Sequence, residues 1–511
     1  MIVALFFSIL FSLAVGIIAA RNHRAETVII PLLDVLQSIP ILGFFPIVIF
    51  GISGIFPGPL GVNLAVIFLI FTSMSWNIAF GVYEAVKSIP QDYIDLSFMS
   101  KSSSFQRITS LYIPASLSRI AYNTQTSWAV GLFYLVSSEI ISEGTSTGGA
   151  VRLPVRGIGV DIITYGLGKD FTAYIYSILL LVVAVIIWQF VFLREFSLWS
   201  ERYKFVEEPR GVTRDPLMRV YHWVNQRSVS KLFLLRPGRG VSSLTSSIAR
   251  FRRGLKYAIL ILVAIFLVFE LAALFNSART GLTGYNLSAI PADEANVVAA
   301  LAYSFVRIWY IYFICVAVAM PLGIVIALHE KLYNSLVPVI EVVASIPAPI
   351  LLPALVPATM VVGAYAGELT AAIVIFLGMI WYVLFNVMAG IRSLPAELFE
   401  LKSSLRVSTF QAWRNIYLPA IATAFVTGSI TAIGAAWNTL IVAEYFEGNQ
   451  TTPITQVGNG IGKVIVIATT KGDMLTLGLA VLSMTALVVA FNLTVWRRVY
   501  HFVTKRYAYN R

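Results

Sequence analysis

The sequence predicts an all-α, polytopic membrane protein of two tandem parallel repeats with about eleven transmembrane helices, and three observations predict it. First, 58% of the 511 residues are hydrophobic and 12% charged, with a mean hydropathy of +0.81. That leaves too little polar surface to cover a water-soluble core. Second, the apolar residues fall in continuous runs of about 20, the length that spans a bilayer as a helix. They do not alternate, which excludes a β-barrel. Third, the chain repeats itself in register. Gly16, Pro31, Ser38-Ile39-Pro40 and Pro46 return 307 residues later as Gly323, Pro338, Ser345-Ile346-Pro347 and Pro353. Trp76, Phe80, Pro90, Phe105-Gln106, Tyr112, Pro114 and Glu139 return after 305 residues as Trp381, Phe385, Pro395, Phe410-Gln411, Tyr417, Pro419 and Glu444. Gly157-Ile158-Gly159 and Asp170 return after 303 residues as Gly460-Ile461-Gly462 and Asp473. A duplicated, bilayer-sized unit implies two half-sites about one axis.

The first repeat, 1–193, carries spans near 2–20, 28–52, 62–83, 116–138 and 172–193. Its opening residues lack a basic leader and a small-residue cleavage site, so they read as a retained span. A linker, 194–255, follows. The second repeat, 256–511, carries spans near 256–276, 297–328, 335–361, 366–389, 420–443 and 475–496. Its first span has no partner in the first repeat, where Met1 aligns with Ile308 and the equivalent of Arg307 would precede Met1. Either the first repeat has lost its leading helix, or the chain as given begins after it.

Basic residues set the orientation. Arg21, Arg24, Lys87, Lys101, Arg107, Lys331, Arg392, Lys402, Arg406, Arg414 and the tail from Arg497 to Arg511 all fall on one side of the proposed spans. The positive-inside rule makes that side cytoplasmic, with the linker and C-terminus on it, in a multi-pass protein of the plasma membrane. From Arg194 to Lys256 fourteen Lys and Arg face five Asp and Glu, a surplus of nine out of the formal +12. Such a segment attracts anionic lipid of the bilayer. It carries no nucleic-acid-binding motif, so no nucleic acid is expected as a partner.

The chain lacks the parts of an enzyme. The lone Cys315 has no disulfide or metal partner, and His23, His222, His329 and His501 are scattered. No catalytic residue, metal site or cofactor is expected. No phosphate-binding Gly-x-x-x-x-Gly-Lys-Ser/Thr loop occurs, so any ATP hydrolysis belongs to another chain.

One cytoplasmic loop recurs in each repeat. The first reads Pro90-Gln91-Asp92-Tyr93-Ile94-Asp95-Leu96-Ser97 and runs on to Tyr112-Ile113-Pro114. The second reads Pro395-Ala396-Glu397-Leu398-Phe399-Glu400-Leu401-Lys402 and runs on to Tyr417-Leu418-Pro419. Both can form amphipathic helices whose apolar face suits a partner's groove. Here the chain resembles the permease subunits of ABC importers, whose "EAA" loop ends in a Leu-Pro lead into the next span. Counting back 19 residues from Pro114 and Pro419 places the motif's leading acid on Asp95 and Glu400. The family's two alanines are replaced by Leu96-Ser97 and Leu401-Lys402, and its central glycine by Lys101 and Arg406. A glycine there would permit a left-handed turn that a side chain disfavours by about 1–2 kcal/mol.

Within that family the chain is similar to the nitrate, sulfonate, taurine and bicarbonate group. Arg307, Pro321-Leu322-Gly323, Ser345-Ile346-Pro347, Gly367-Glu368, Pro395-x-Glu397-Leu398 and Ala436-Trp437 through Glu444 carry the likeness, and Asn63 replaces Glu368 in the first repeat. The resemblance implies the type I ABC importer permease fold and a pathway for a small anion. It also implies ABC ATPase subunits, two of them, docked on the recurring loops, and an extracytoplasmic substrate-binding protein. A secondary transporter with parallel repeats is the alternative, although it gives no reason for the repeated acid-to-proline loop.

Helix breaks are tolerated within a membrane only where protein or a watery cavity satisfies the freed backbone. Ser38 with Pro40, and Ser345 with Pro347, are therefore expected to line the translocation pathway. Asp34 with Glu341, and Glu139 with Glu444, are acids placed symmetrically in or beside spans. They are expected to gate or pin helices, with Arg307 or Arg119 as partners.

Overall fold

The computed structural model describes residues 1–147, 157–168, 170–200, 295–394, 408–446 and 455–507. The predicted span 256–276 and most of the linker lie outside the described residues. Almost every described residue is helical, the exception being a two-stranded ladder that pairs Tyr445 with Gln456 and Phe446 with Thr455. In the first repeat the helices are α1 (Ile2–Arg21), α2 (His23–Ser38), α3 (Ile41–Ile55), α4 (Pro59–Lys87), α5 (Gln91–Met99), α6 (Ile113–Thr147), α7 (Ile158–Leu167) and α8 (Phe171–Ile187). In the second they are α9 (Ala295–Leu328), α10 (Glu330–Ala344), α11 (Leu352–Thr359), α12 (Ala366–Arg392), α13 (Leu418–Ala443), α14 (Ile461–Lys471), α15 (Met474–Phe491) and α16 (Arg497–Tyr507). Seven of the described helices are long and apolar enough to cross a membrane.

The repeated residues turn out to be the ones that shape these elements. Pro40 and Pro347 stop α2 and α10 because a proline disfavours helical geometry in the residue before it. The chain re-enters a helix at once, as α3 in one copy and as a tight turn at Ala348–Leu351 followed by α11 in the other. Asp170 and Asp473 start α8 and α15. Their carboxylates accept the backbone N–H of Ala173 at 3.0 Å and of Thr476 at 3.1 Å, donors that a helix start leaves unpaired. Single π-helical turns interrupt the helices at matched places, Ile108–Tyr112 with Trp413–Tyr417 and Trp188–Leu193 with Asn492–Trp496.

Small residues let the helices approach closely, as packing without a hydrophobic driving force requires. A Cβ on Gly16 would lie 2.8 Å from the Cβ of Val82 on α4, and one on Gly323 would lie 2.9 Å from Cγ1 of Val387 on α12. On α1, Ser8 and Ser12 donate to the carbonyls of Phe71 and Ser75 at 3.1 and 3.0 Å. Helices α4 and α12 occupy the centre of each half, with Met74, Ile78, Val82, Met379, Val383 and Val387 all fully buried.

The short helices that follow the proline breaks cross to the other half. α3 packs against α13 and α14, while the Ala348–Leu351 turn packs against α6 and α11 against α7. Likewise α2 meets α15, and α10 meets α8. Each of these contacts has its counterpart with the copies exchanged, as two parallel repeats about one axis require. Hydrogen bonds secure the crossings: the Leu42 N–H donates to Asn438 Oδ1 at 3.1 Å, and the Tyr174 hydroxyl donates to the Ile350 carbonyl at 3.0 Å.

Candidate functional site

The first of the two recurring loops is a helix, a left-handed turn and a second helix start. Pro90 precedes α5, on which Gln91 Nε2 donates to Asp95 Oδ1 at 2.9 Å. Ile94 alone is buried, at 4% exposure, and anchors the helix to the body. Asp92 and Asp95 are exposed, and so are Tyr93, Leu96, Phe98 and Met99, the last at 81%. Lys101 follows with φ of 51°, the one non-glycine residue with positive φ among those described. The motif's glycine position is thus a left-handed turn even with a side chain on it. Three backbone bonds hold that turn: Ser100 N–H to Leu96 O at 2.9 Å, Lys101 N–H to Phe98 O at 3.0 Å and Ser102 N–H to Ser97 O at 3.2 Å. The Arg107 guanidinium stacks 4.1 Å over the Phe98 ring.

The next helix opens with reciprocal caps. Ser103 N–H donates to Gln106 Oε1 at 2.7 Å, and Gln106 N–H donates to Ser103 Oγ at 3.3 Å. The π turn follows, then Pro114 directly behind it in α6. In the second copy Glu397, Glu400, Leu401 and Arg406 lie outside the described residues. The caps return on Ser408 and Gln411, with the π turn and Pro419 behind them.

Across the bundle, the repeated acids meet the repeated glycines. Glu139 Oε2 accepts the Gly159 N–H and Glu444 Oε2 accepts the Gly462 N–H, both at 2.7 Å. Each carboxylate thus holds the N-terminal turn of α7 or α14, the end that favours negative charge. A Cβ on Gly157 or Gly460 would collide with the carboxylate. Both acids are buried, at 3% and 0% exposure.

The second clamp is the more elaborate. Arg307 Nη1 contacts Glu444 Oε1, while its Nε and Nη2 donate to Glu368 Oε2 and Oε1 at 2.9 and 2.8 Å. Arg307 Nη2 also donates to the Asn459 carbonyl at 3.1 Å. Ser304 bridges the cluster, donating to Glu444 Oε1 at 2.6 Å and accepting from the Ile461 N–H at 2.8 Å. Of the two arginines expected beside these acids, Arg307 takes the place. Arg119 sits elsewhere, exposed on α6.

Other expected residues are more dispersed. Asp34 is exposed and accepts from Gln37 Nε2 at 2.9 Å. Glu341 lies within electrostatic reach of Arg194, at the start of the linker. Pro40 and Pro347 are buried, and the Ser345 hydroxyl turns back to its own helix, donating to Glu341 O at 2.8 Å. Of Ser38 the structure describes only the backbone, which ends α2. Sequence reasoning missed Ser304, three residues before Arg307, and Asn438, which caps the crossing of α3. Their signal was a polar residue on the buried face of an otherwise apolar span.

Comparison with known proteins matches the chain twice to the family described as "binding-protein-dependent transport system inner membrane component", over residues 12–196 and 319–508. The nitrate import permease protein NrtB of Leptolyngbya laminosa is 27% identical over 174 residues, 34% of this chain and 57% of that protein. The bicarbonate transport system permease protein CmpB of Synechococcus elongatus is 31% identical over 135 residues, 26% and 46% of the two chains. The taurine transport system permease protein TauC of Escherichia coli is 26% identical over 207 residues, 40% and 70% of the two chains. The match to the first two covers about half of each relative's length. With both halves of the fold matched, the chain belongs to the family of binding-protein-dependent transport system inner membrane components, carrying two copies of that unit in tandem.

Proposed function

We propose that this chain is the permease of an ABC importer and forms the translocation pathway for a small anion such as nitrate, bicarbonate, taurine or another sulfonate. ATP is hydrolysed on separate ABC ATPase subunits, two in number, and solute arrives on an extracytoplasmic substrate-binding protein. The observation that carries this reading is α5, a helix anchored by one buried residue that offers Tyr93, Leu96, Phe98 and Met99 outward. Large apolar side chains on a polar loop need a partner surface. Past the Lys101 turn, the short helix Ser104–Arg107 runs through the π turn at Ile108–Tyr112 into α6, so force applied at the loop reaches a membrane-embedded helix.

In this reading Asp92, Asp95, Leu96 and Lys101, with Glu397, Glu400, Leu401 and Arg406, form the two ATPase-coupling surfaces. The breaks at Ser38–Pro40 and Ser345–Pro347 border the pathway, and Asp34, Glu341, Glu139, Glu444 and Arg307 pin the helices around it. The linker and C-terminus face the cytoplasm. Substituting Leu96→Asp or reversing Asp95→Lys and Glu400→Lys is expected to weaken co-purification of the ATPase and uptake while insertion is unchanged. The Glu400→Lys loss is expected to be larger, since that loop belongs to the copy that keeps Arg307 and Glu368. Full ATPase recovery with all three variants would overturn the docking role.

A further inference from the structure

On the outer helices most exposed side chains are apolar: Phe6 on α1, Leu179 and Leu180 on α8, and Phe313 on α9 are each at least half exposed, with Tyr176 and Tyr303 among them. One exposed face is different. On α6, Arg119, Tyr122 and Thr126 lie three and four residues apart, so they share one side of the helix, and all three are exposed. Asn77 on α4 is exposed beside them, its Nδ2 donating to Thr126 Oγ1 at 2.9 Å and to Ser127 Oγ at 3.0 Å. The same register in the second copy shows Thr427 and Thr431, also exposed, on α13.

This face lies deep. Asn77 is ten residues from Lys87 at the end of α4, about 15 Å along a helix, or roughly half the hydrocarbon thickness. Polar groups exposed at that depth are costly against lipid and stable against water. Position also favours water. Residue 382 matches residue 77, and Tyr382 stands within electrostatic reach of Tyr134 on α6 of the other half. That side of α4 and α12 therefore looks across the axis and not outward. Moreover, α6 is not among the seven helices apolar enough to cross a membrane, although its counterpart α13 is. Packing of α4 on α6 uses the Asn77 amide, yet it leaves the Arg119 guanidinium with no partner among the described residues.

We propose that Arg119, Tyr122, Thr126 and Asn77, opposed by Thr427 and Thr431, line a water-filled solute path between the halves. Arg119 forms its anion-selecting station one to two turns nearer the cytoplasm than Thr126. This rests on the permease reading for its direction and cargo, but the site takes a class of ligand that its own chemistry defines. A guanidinium that forms no ion pair among the described residues attracts a small hydrated anion and repels a cation, and Glu84, exposed two turns from Asn77 on the same face of α4, is the acid it must outweigh.

The test is thiol labelling of the full chain in membrane vesicles, which needs neither ATPase nor cargo. Cys315 is fully buried and serves as a silent background. Thr126→Cys and Thr431→Cys are expected to react with hydrophilic methanethiosulfonates at least about tenfold faster than the lipid-facing Leu180→Cys. Rates equal to that control would overturn the path. At Thr126→Cys the anionic sulfonatoethyl reagent is expected to outpace the cationic trimethylammonium reagent by roughly tenfold, the scale of local electrostatic concentration. Arg119→Gln should abolish this preference and Arg119→Lys keep it. An unchanged ratio in Arg119→Gln would overturn the anion station. Because labelling proceeds without transport, loss of ATPase binding or uptake in other variants leaves this result independent.

Discussion

The Asn123 side chain fills the space that Gly81 leaves open between α4 and α6, and its Nδ2 donates to the Asn77 carbonyl at 3.1 Å. In the second copy the two residue types trade helices: Asn386 stands where Gly81 would be, and Gly428 where Asn123 would be. There Asn386 Nδ2 donates to the Tyr382 carbonyl at 2.8 Å, the same register position reached from the opposite helix. One amide and one gap are conserved, and which helix supplies each is not.

That exchange predicts a rescue. Gly81→Asn puts two amides into one space, and overpacking of this kind costs about 1–3 kcal/mol. Adding Asn123→Gly should return most of the lost melting temperature of the purified chain. A double variant no more stable than Gly81→Asn alone would show that the two copies are not interchangeable at this contact.

The Glu444 cluster predicts unequal acids. Glu444→Ala strips the fully buried partner from Arg307, a change that typically costs about 3–5 kcal/mol, and also frees the Gly462 N–H. Glu368 is 37% exposed, so Glu368→Ala should cost clearly less. Thermal melts of the two variants side by side check this, and equal losses would count against the clamp.

Lys101 carries strain that a glycine would relieve. Lys101→Gly should stabilise the loop by about 1 kcal/mol, and Lys101→Ile should destabilise it by at least as much. Protease cleavage between α5 and α6 should slow in the first variant and quicken in the second.

Glu26 links stability to pH at the start of α2. Lys87 Nζ at 2.8 Å and the Tyr83 hydroxyl at 2.6 Å hold its carboxyl down at about 2, against an ordinary 4.5. A depressed acid contributes its full stabilisation above the unfolded value and loses it as the pH falls toward the folded one. The melting-temperature gap between the unaltered chain and Glu26→Gln should therefore be constant from about pH 6 to 8 and narrow steadily from about 4.5 down to about 2. A gap as wide at pH 3 as at pH 7 would sink the assignment.

Much of this fold was legible because membrane helices announce themselves by length and the duplication repeats each structural device. The recurrence of Asp170 as Asp473, of Gln106 as Gln411 and of the Gly-Ile-Gly pairs set the register of the two copies, although that these residues start helices is seen only in their geometry. What stayed hidden was pairing. Nothing in the spacing says that Glu139 and Glu444 accept from those glycines, or that Leu42 finds Asn438 some 396 residues away. Such contacts depend on how helices are arranged about the axis, which hydrophobic periodicity does not encode. The polar run Arg119–Ser127 was visible too, but a span reading absorbs a few polar residues without asking which way they face.

The exchange of short helices between the halves also governs how the chain is made. Because α3 finds its neighbours on α13 and α14, the first copy enters the bilayer with one face unmatched. Its partners emerge roughly 400 residues later, about 20–80 s at ordinary rates of synthesis. For that interval the nascent half must be sheltered by the insertion machinery or by lipid, so tandem fusion guarantees each half its mate at the cost of a long vulnerable wait.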